Sequence, residues 1–476
     1  MNIETILIII ALSVSFYMAW NIGANDVANA MGTSVGSGAL TLKKAILVAA
    51  VMEFAGAFLV GSHVTETVRN GIVDPVLFSE NPNSYIYGMI AALMAAGAWL
   101  NFASYRGWPV STTHSIVGSV LGFGIIFSGP SSIYWGKVSQ IAASWVISPI
   151  LSGMISFLIF FLLRRIIFYS RTPVKSAKKL TPFLVFFVIG TLTLVMVFKG
   201  LKNLHLHLSL AHSLILACMT GLLGAVISIP LVNRIKSSQG EKEKSELLDP
   251  KLEKSMQKVT MHLRKAKESV TGELSDEISH LLAKTESISN RFEKFFQTRH
   301  IDTDYQTVEK IFAYLQILSA CFVAFAHGAN DVANAIGPLA GVLATIRSGI
   351  VGMKAQVPLL VLLLGGLGIV IGLATWGWRV IMTIGKQITE LTPTRGFAAE
   401  FGTAITIVLA SKLALPVSTT HTLVGAVLGV GIARGLSSLN LKTIRDIILS
   451  WVITLPAGAL LTAIFYFVIK FFFSLF

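Results

Sequence analysis

Long apolar runs dominate the chain. Residues 141–163, 210–232 and 358–378 are apolar almost throughout, and each approaches or exceeds the roughly 20 residues that a helix needs to cross about 30 Å of hydrocarbon. A helix on the surface of a soluble domain would keep one polar face; here the apolar character continues all round. Alternation with period two is nowhere sustained over the roughly ten-residue segments that a membrane β-barrel needs. The pattern predicts an all-α polytopic membrane protein. One stretch departs from it. Residues 234–310 are polar, with apolar positions at heptad-like spacing: Leu252, Met256, Val259, Leu263 and Val270, then Leu274, Ile278, Leu281, Ile288, Phe292 and Phe295. That spacing predicts amphipathic helices, with Gly272 as a candidate break between two of them.

The chain also repeats itself. GANDVANA occupies 23–30 and 328–335, PVSTTH occupies 109–114 and 416–421, and SWVI occupies 144–147 and 450–453. The offsets are 305, 307 and 306 residues. Three motifs agreeing this closely over more than a hundred residues predict two copies of one unit. The chain then divides into a first transmembrane repeat (1–165), two connecting transmembrane helices (166–233), a helical segment off the membrane (234–310) and a second transmembrane repeat (311–476).

Charge decides how these parts are oriented. Only 13% of the 476 residues are charged, against about 25% in an average soluble domain, which argues against a water-soluble enzyme. The net charge of +14 does not form one patch, so it is no argument for nucleic acid. Segment 234–310 holds 15 basic and 14 acidic residues, and the excess flanks the apolar runs. Its densest cluster there is Arg164, Arg165, Arg171, Lys175, Lys178 and Lys179, which the positive-inside rule puts on the cytoplasmic side. Two helices then separate this cluster from 234–310, so that segment is also expected inside and the loop 199–208 outside. If each repeat crosses an odd number of times, five being the natural count, the copies have inverted topology. The total is then about 12 transmembrane helices in a plasma or inner membrane, with both termini outside. The first helix lacks a basic leader and is expected to be retained. Cys218 and Cys321 both lie in apolar runs and are expected to be buried free thiols.

The repeated motifs carry the chemistry. GANDVANA puts Asn25, Asp26 and Asn29 after a Gly able to break a helix. An ionised Asp at membrane depth costs at least about 2.5–3.5 kcal/mol, and the chain accepts that cost at Asp26 and again at Asp331. Oxygen ligands of low net charge suit Na⁺, so Asp26, Asn29, Asp331 and Asn334 are candidate sodium ligands; the same side chains could instead knit helices together. PVSTTH combines a proline, which biases the preceding residue away from helix, with Ser and Thr, which cap helix N-termini. The apolar run after the first copy, 116–127, spans about 18 Å as helix, so its start could lie near the midplane. A helix N-terminus attracts anions, and Ser111, Thr112 and Thr113 with Ser418, Thr419 and Thr420 add hydroxyl donors. Two such starts aimed at one point would surround a tetrahedral oxyanion. Glu53 and Glu400 are further acids in apolar surroundings, candidate coupling or relay groups or else carboxylates neutralised by neighbours. Arg106 and Lys412, just ahead of the STTH motifs, are expected to snorkel to the interface. His114 and His421 have no metal-ligand companions at suitable spacing, so they are read as capping or hydrogen-bonding residues, and no transition metal is expected. No P-loop or nucleophile–base motif is present, which favours a secondary carrier needing no cofactor.

Taken in pairs, GANDVANA and PVSTTH resemble the inorganic phosphate transporter (PiT) family of sodium- or proton-coupled symporters, across both units. The resemblance implies phosphate uptake, usually with sodium, by a twelve-helix protein with re-entrant hairpins, often a homodimer. It implies phosphate-binding roles for Asn25, Asp26, Asn330 and Asp331, for Ser111 to Thr113 and for Ser418 to Thr420, and transport-linked roles for Glu53 and Glu400. It leaves protons open as an alternative to sodium. A carrier of another tetrahedral anion such as sulfate, or an uncoupled anion channel, are the competing readings. Phosphate over sulfate has a physical reason: monobasic phosphate keeps protons to donate to a carboxylate, and sulfate has none.

Overall fold

The computed structural model describes residues 2–61, 72–197, 208–235, 250–269, 273–351, 357–412 and 417–475. Several positions named above lie outside the described residues: loop residues 199–207, Val270, Gly272, Pro416, and the side chains of Leu252, Met256, Ile288, Phe292, Phe295 and Lys412. Among the described residues fifteen α-helices follow in order. They are α1 (Ile3–Asn25), α2 (Ala28–Gly36), α3 (Leu42–Val60), α4 (Pro82–Arg106), α5 (Thr112–Ser128), α6 (Trp135–Leu163), α7 (Pro173–Val195) and α8 (Leu210–Asn233), then α9 (Pro250–Glu268) and α10 (Glu273–Ser348), then α11 (Leu359–Trp376), α12 (Trp378–Lys386), α13 (Pro393–Lys412), α14 (Thr419–Arg434) and α15 (Leu441–Ser474). Among the described residues extended pairing is limited to two isolated bridges, Val73 with Ile133 and Thr389 with Leu439.

Eight helical stretches among the described residues are long and apolar enough to cross a membrane, so the all-helical, multi-pass reading holds. The polar segment forms α9 and the start of α10, which pack on each other and share the Arg264–Glu286 ion pair at 2.6 Å. α10 then continues without interruption from this segment into the membrane.

The two halves that carry the duplicated motifs pack on each other. α1 lies against α11 and α10 against α3; α5 lies against α15 and α14 against α6. Each helix of one unit is thus covered by a helix of the other. Glycines bring these backbones together, as small residues do between helices in lipid. A Cβ on Gly23 would run into the backbone oxygen of Ile369, and one on Gly328 into that of Glu53. The motif glycine is therefore a packing residue inside a helix and not the helix breaker expected from sequence. In the first copy the break falls at Asp26 and Val27, where Asn29 N–H donates back to Asp26 O and Ala30 N–H to Val27 O. In the second copy α10 runs straight through.

The outer layer differs from the inner one. The apolar stretches of α4 and α10 are 72% buried, those of α8 and α15 only 22%. Cys218 sits on the outer face of α8 and is exposed, contrary to the expectation of a buried thiol, while Cys321 is half-buried; both are free. An apolar run shows that a helix enters lipid but not which of its faces meets lipid.

Candidate functional site

Both PVSTTH copies start helices. Ser111 Oγ accepts from His114 N–H and Ser418 Oγ from His421 N–H, each at 3.2 Å. These bonds satisfy one of the orphan donors at each N-terminus. α5 has 17 residues, or about 26 Å, longer than the apolar run alone indicated. Gly107 sets its approach: with φ 69° it closes α4 in the left-handed conformation, which glycine adopts without a Cβ clash. Trp451 Nε1–H, from the SWVI motif on α15, donates to Pro109 O at 3.1 Å and holds the loop.

The two helix starts converge on the two aspartates. Thr112 Oγ1–H donates to Asp26 Oδ2 at 2.6 Å, and Thr420 Oγ1–H to Asp26 Oδ1 at 2.7 Å. Asn29 Nδ2–H donates to Asp26 Oδ1 and to Thr420 Oγ1, both at 2.9 Å. The other half mirrors this. Asn334 Nδ2–H donates to Thr112 Oγ1 at 3.1 Å and Thr113 Oγ1 at 3.3 Å, Thr419 Oγ1–H to Asp331 Oδ2 at 3.3 Å, and Asn330 Nδ2–H to Asp331 Oδ1 at 2.7 Å. Thr112 also lies 3.5 Å from Asp331 Oδ2. Asp26 and Asp331 are each 1% exposed. Asn25 stands slightly aside: its Nδ2–H bonds reach Ser104 Oγ and Trp108 O, and its Oδ1 accepts from Val110 N–H, so it braces the loop between α4 and α5.

Sequence reasoning missed His327. Its Nε2 is 2.7 Å from Asp331 Oδ2 and 3.8 Å from Asp26 Oδ2, and its Nδ1 is 2.8 Å from both oxygens of Glu53. A single imidazole thus links the two aspartates to a glutamate. The available signal was an asymmetry between the repeats: His327 precedes the second GANDVANA where Ile22 precedes the first. Asp26, His327 and Asp331 bring three ligand atoms within 4.8 Å of one another, a grouping of hard oxygen donors around one nitrogen.

Glu400 belongs to a second buried cluster. Its Oε1 accepts from Thr33 at 2.5 Å, Ser34 at 2.8 Å and Gln316 at 3.2 Å, and its Oε2 from Ser319. None of these four donors was singled out in the sequence, because each is an ordinary polar residue until the fold sets it around a carboxylate. The expected relay pair is therefore divided. Glu53 joins the aspartates through His327, and Glu400 stands in its own cage of donors.

The remaining candidates lie elsewhere. Arg106 is exposed at the end of α4, over the rings of Phe102 and Trp108 at 5.4 and 5.8 Å. His114 and His421 meet with ring centroids 4.3 Å apart, and each packs at 3.6 Å on the tryptophan of an SWVI motif, Trp145 and Trp451 respectively. The His421 ring does hydrogen-bond, Nδ1 to Trp145 O at 3.2 Å. His114 instead uses its ring for tilted and edge-on packing on Trp145 and His421 and its backbone for the cap. Neither belongs to a group of three metal-ligating side chains among the described residues.

Comparison with known proteins places this geometry. Residues 22–462 match the model of the phosphate transporter family. A putative phosphate permease of Chlamydia pneumoniae is 47% identical over 98% of both chains. The chloroplastic inorganic phosphate transporter 2-1 of Arabidopsis thaliana is 44% identical over 94% of this chain and 70% of its own length. A solved structure described as the sodium-dependent phosphate transporter superposes with a TM-score of 0.78 at 37% identity, covering 98% of this chain and 99% of its own. These relatives are transporters and permeases, not enzymes. The chain belongs to the phosphate transporter family.

Proposed function

We propose that the protein imports inorganic phosphate by sodium symport, through alternating access around one site between the N-termini of α5 and α14. The observation that carries this reading is the convergence of hydroxyls from both helix starts on two buried aspartates. Helix N-termini and hydroxyls favour an anion, yet two unit charges about 4 Å apart repel by roughly 4 kcal/mol even at an effective dielectric of 20. Phosphate can settle beside Asp26 and Asp331 only with cations present, and that is coupling by differential affinity. Asn25, Asp26, Ser111, Thr112, Thr113, Asn330, Asp331, Ser418, Thr419 and Thr420 form the phosphate site; Asp26, Asn29, Asp331 and Asn334 hold sodium. Glu53 and Glu400 are coupling groups.

The Thr112, Thr419 and Thr420 hydroxyls are now donated to the carboxylates and both aspartates are buried, an arrangement suited to an occluded stage of the cycle. The exchanged packing of α1 with α11 and α10 with α3 supports two inverted repeats that rock against each other. We place the protein in the plasma or inner membrane as a homodimer with about twelve crossings per chain, counting shorter helices and re-entrant hairpins. Residues 234–310 are cytoplasmic and both termini outside.

One observation favours protons as the driving ion. His327 stands between acids on both sides, its Nδ1 hydrogen-bonded to Glu53 at 2.8 Å and its Nε2 in ion-pair contact with Asp331 at 2.7 Å, a place where a transported proton would be held as an imidazolium between carboxylates. Uptake of labelled phosphate into proteoliposomes, with a sodium gradient in one set and a proton gradient in the other, separates the readings. Accumulation above equilibrium driven by sodium is expected. Accumulation driven by protons without sodium assigns coupling to the Glu53–His327 pair, and no accumulation under either gradient overturns symport.

A further inference from the structure

The basic residues between α6 and α8 form a cleft away from the paired aspartates. A cavity of about 620 Å³ opens where the start of α7 meets the end of α8 and Asp304 of α10. Arg171, Lys175, Lys178 and Lys179 line it together with Pro182 and Ile229. Lys175, Lys178 and Lys179 share one face of α7 because i, i+3 and i+4 positions superpose on a helix. Lys178 is already engaged, donating to Ile235 O at 2.7 Å and so tying the end of α8 to α7. Arg171, Lys175 and Lys179 are exposed. Asp304 is the one acid among the described lining residues.

The cleft is basic at one end and apolar at the other. Pro182 and Ile229 continue into the outer face of α8, where Ile227 and Leu231 are 53% and 56% exposed on a helix apolar enough to cross the membrane. Clustered Lys and Arg at the end of a transmembrane helix attract anionic headgroups, and the apolar floor gives an acyl chain a surface to follow. A free inorganic anion would have no use for that floor. We propose that this cleft is a binding site for an anionic phospholipid, whose headgroup phosphate is held by Arg171, Lys175 and Lys179 and whose acyl chain runs over Pro182 and Ile229.

The full chain in phosphatidylcholine nanodiscs doped with phosphatidylglycerol, released into detergent and weighed by native mass spectrometry, tests the assignment. Selective retention of phosphatidylglycerol is expected, falling about fivefold or more in the triple variant R171Q/K175Q/K179Q and rising in Asp304→Asn, which removes the acid facing the cleft. Equal retention by the wild type and a triple variant of unchanged thermal stability would overturn it. Displacement of the lipid by millimolar inorganic phosphate would overturn it in favour of a soluble-anion site. Should the triple variant fail to fold, Asp304→Asn decides, and unchanged retention in that variant counts against the proposal.

Discussion

Thr420 Oγ1 lies 2.7 Å from Asp26 Oδ1 although the two residues stand 394 positions apart. Thr112 reaches the other oxygen of the same carboxylate from its own repeat. The hydroxyl and not the methyl carries both contacts. Thr112→Ser and Thr420→Ser should keep phosphate uptake within about threefold of wild type, whereas Thr112→Val, which removes the hydroxyl donor from Asp26 Oδ2 at about 1–3 kcal/mol, should lower it tenfold or more, and Thr420→Val, which leaves Oδ1 its bond from Asn29, should lower it less. Initial uptake rates in proteoliposomes, normalised to protein incorporated, measure the difference.

Asp26 and Asp331 supply the negative charge on which the proposed coupling rests. Asp26→Asn and Asp331→Asn should each raise the sodium concentration for half-maximal uptake by about tenfold or more, as loss of a close charge pair implies. Asp26→Asn should in addition make sulfate an effective competitor, because the acceptor that selects a protonated oxyanion is gone. Unchanged sodium dependence together with unchanged sulfate rejection would sink this assignment.

His327 separates Glu53 from Asp331, and deleting its ring leaves acids facing each other. Breaking one partner out of a buried ionic cluster costs about 3–5 kcal/mol. His327→Ala is expected to abolish uptake and lower the unfolding temperature in detergent. The double variant Glu53→Gln/His327→Gln removes one acid as well and should recover stability relative to His327→Ala. A double variant less stable than His327→Ala would show that the imidazole is not compensating charge there.

Gly23 and Gly328 occupy the same place in the two motifs, and each allows a neighbouring backbone to come close. Gly23→Ala and Gly328→Ala force α1 from α11 and α10 from α3, an overpacking worth about 1–3 kcal/mol or more. Both variants should unfold at lower temperature in a fluorescence-based melt, and Gly328→Ala, which pushes Glu53 away from His327, should in addition lower uptake per folded molecule. Gly136, which lies within α6 with open space at its Cβ position and no positive φ, controls for glycine loss as such: Gly136→Ala should leave the unfolding temperature unchanged or raise it slightly.

The order of residues along the chain determined a great deal of this protein by itself. Apolar runs too long for a soluble helix specified membrane helices, and Ser ahead of Thr-Thr-His specified two capped helix starts. The duplication paired Asp26 with Asp331 before any geometry was known. These are local or periodic signals, set by helix rise, hydrogen-bond bookkeeping and the cost of charge in hydrocarbon. Tertiary structure decided what depends on distant partners. GANDVANA is broken at Asp26 and Val27 in one copy and continuous in α10 in the other, so an identical octapeptide takes its backbone from its surroundings. His327 became a bridge only because the close approach at Gly328 brings Glu53 of α3 beside it. Thr33, Ser34, Gln316 and Ser319 became a cage for Glu400 because three helices meet there. Likewise Cys218 faces outward because α8 is covered on one side alone. Side chains hundreds of positions apart are joined by packing, which no spacing along the chain records.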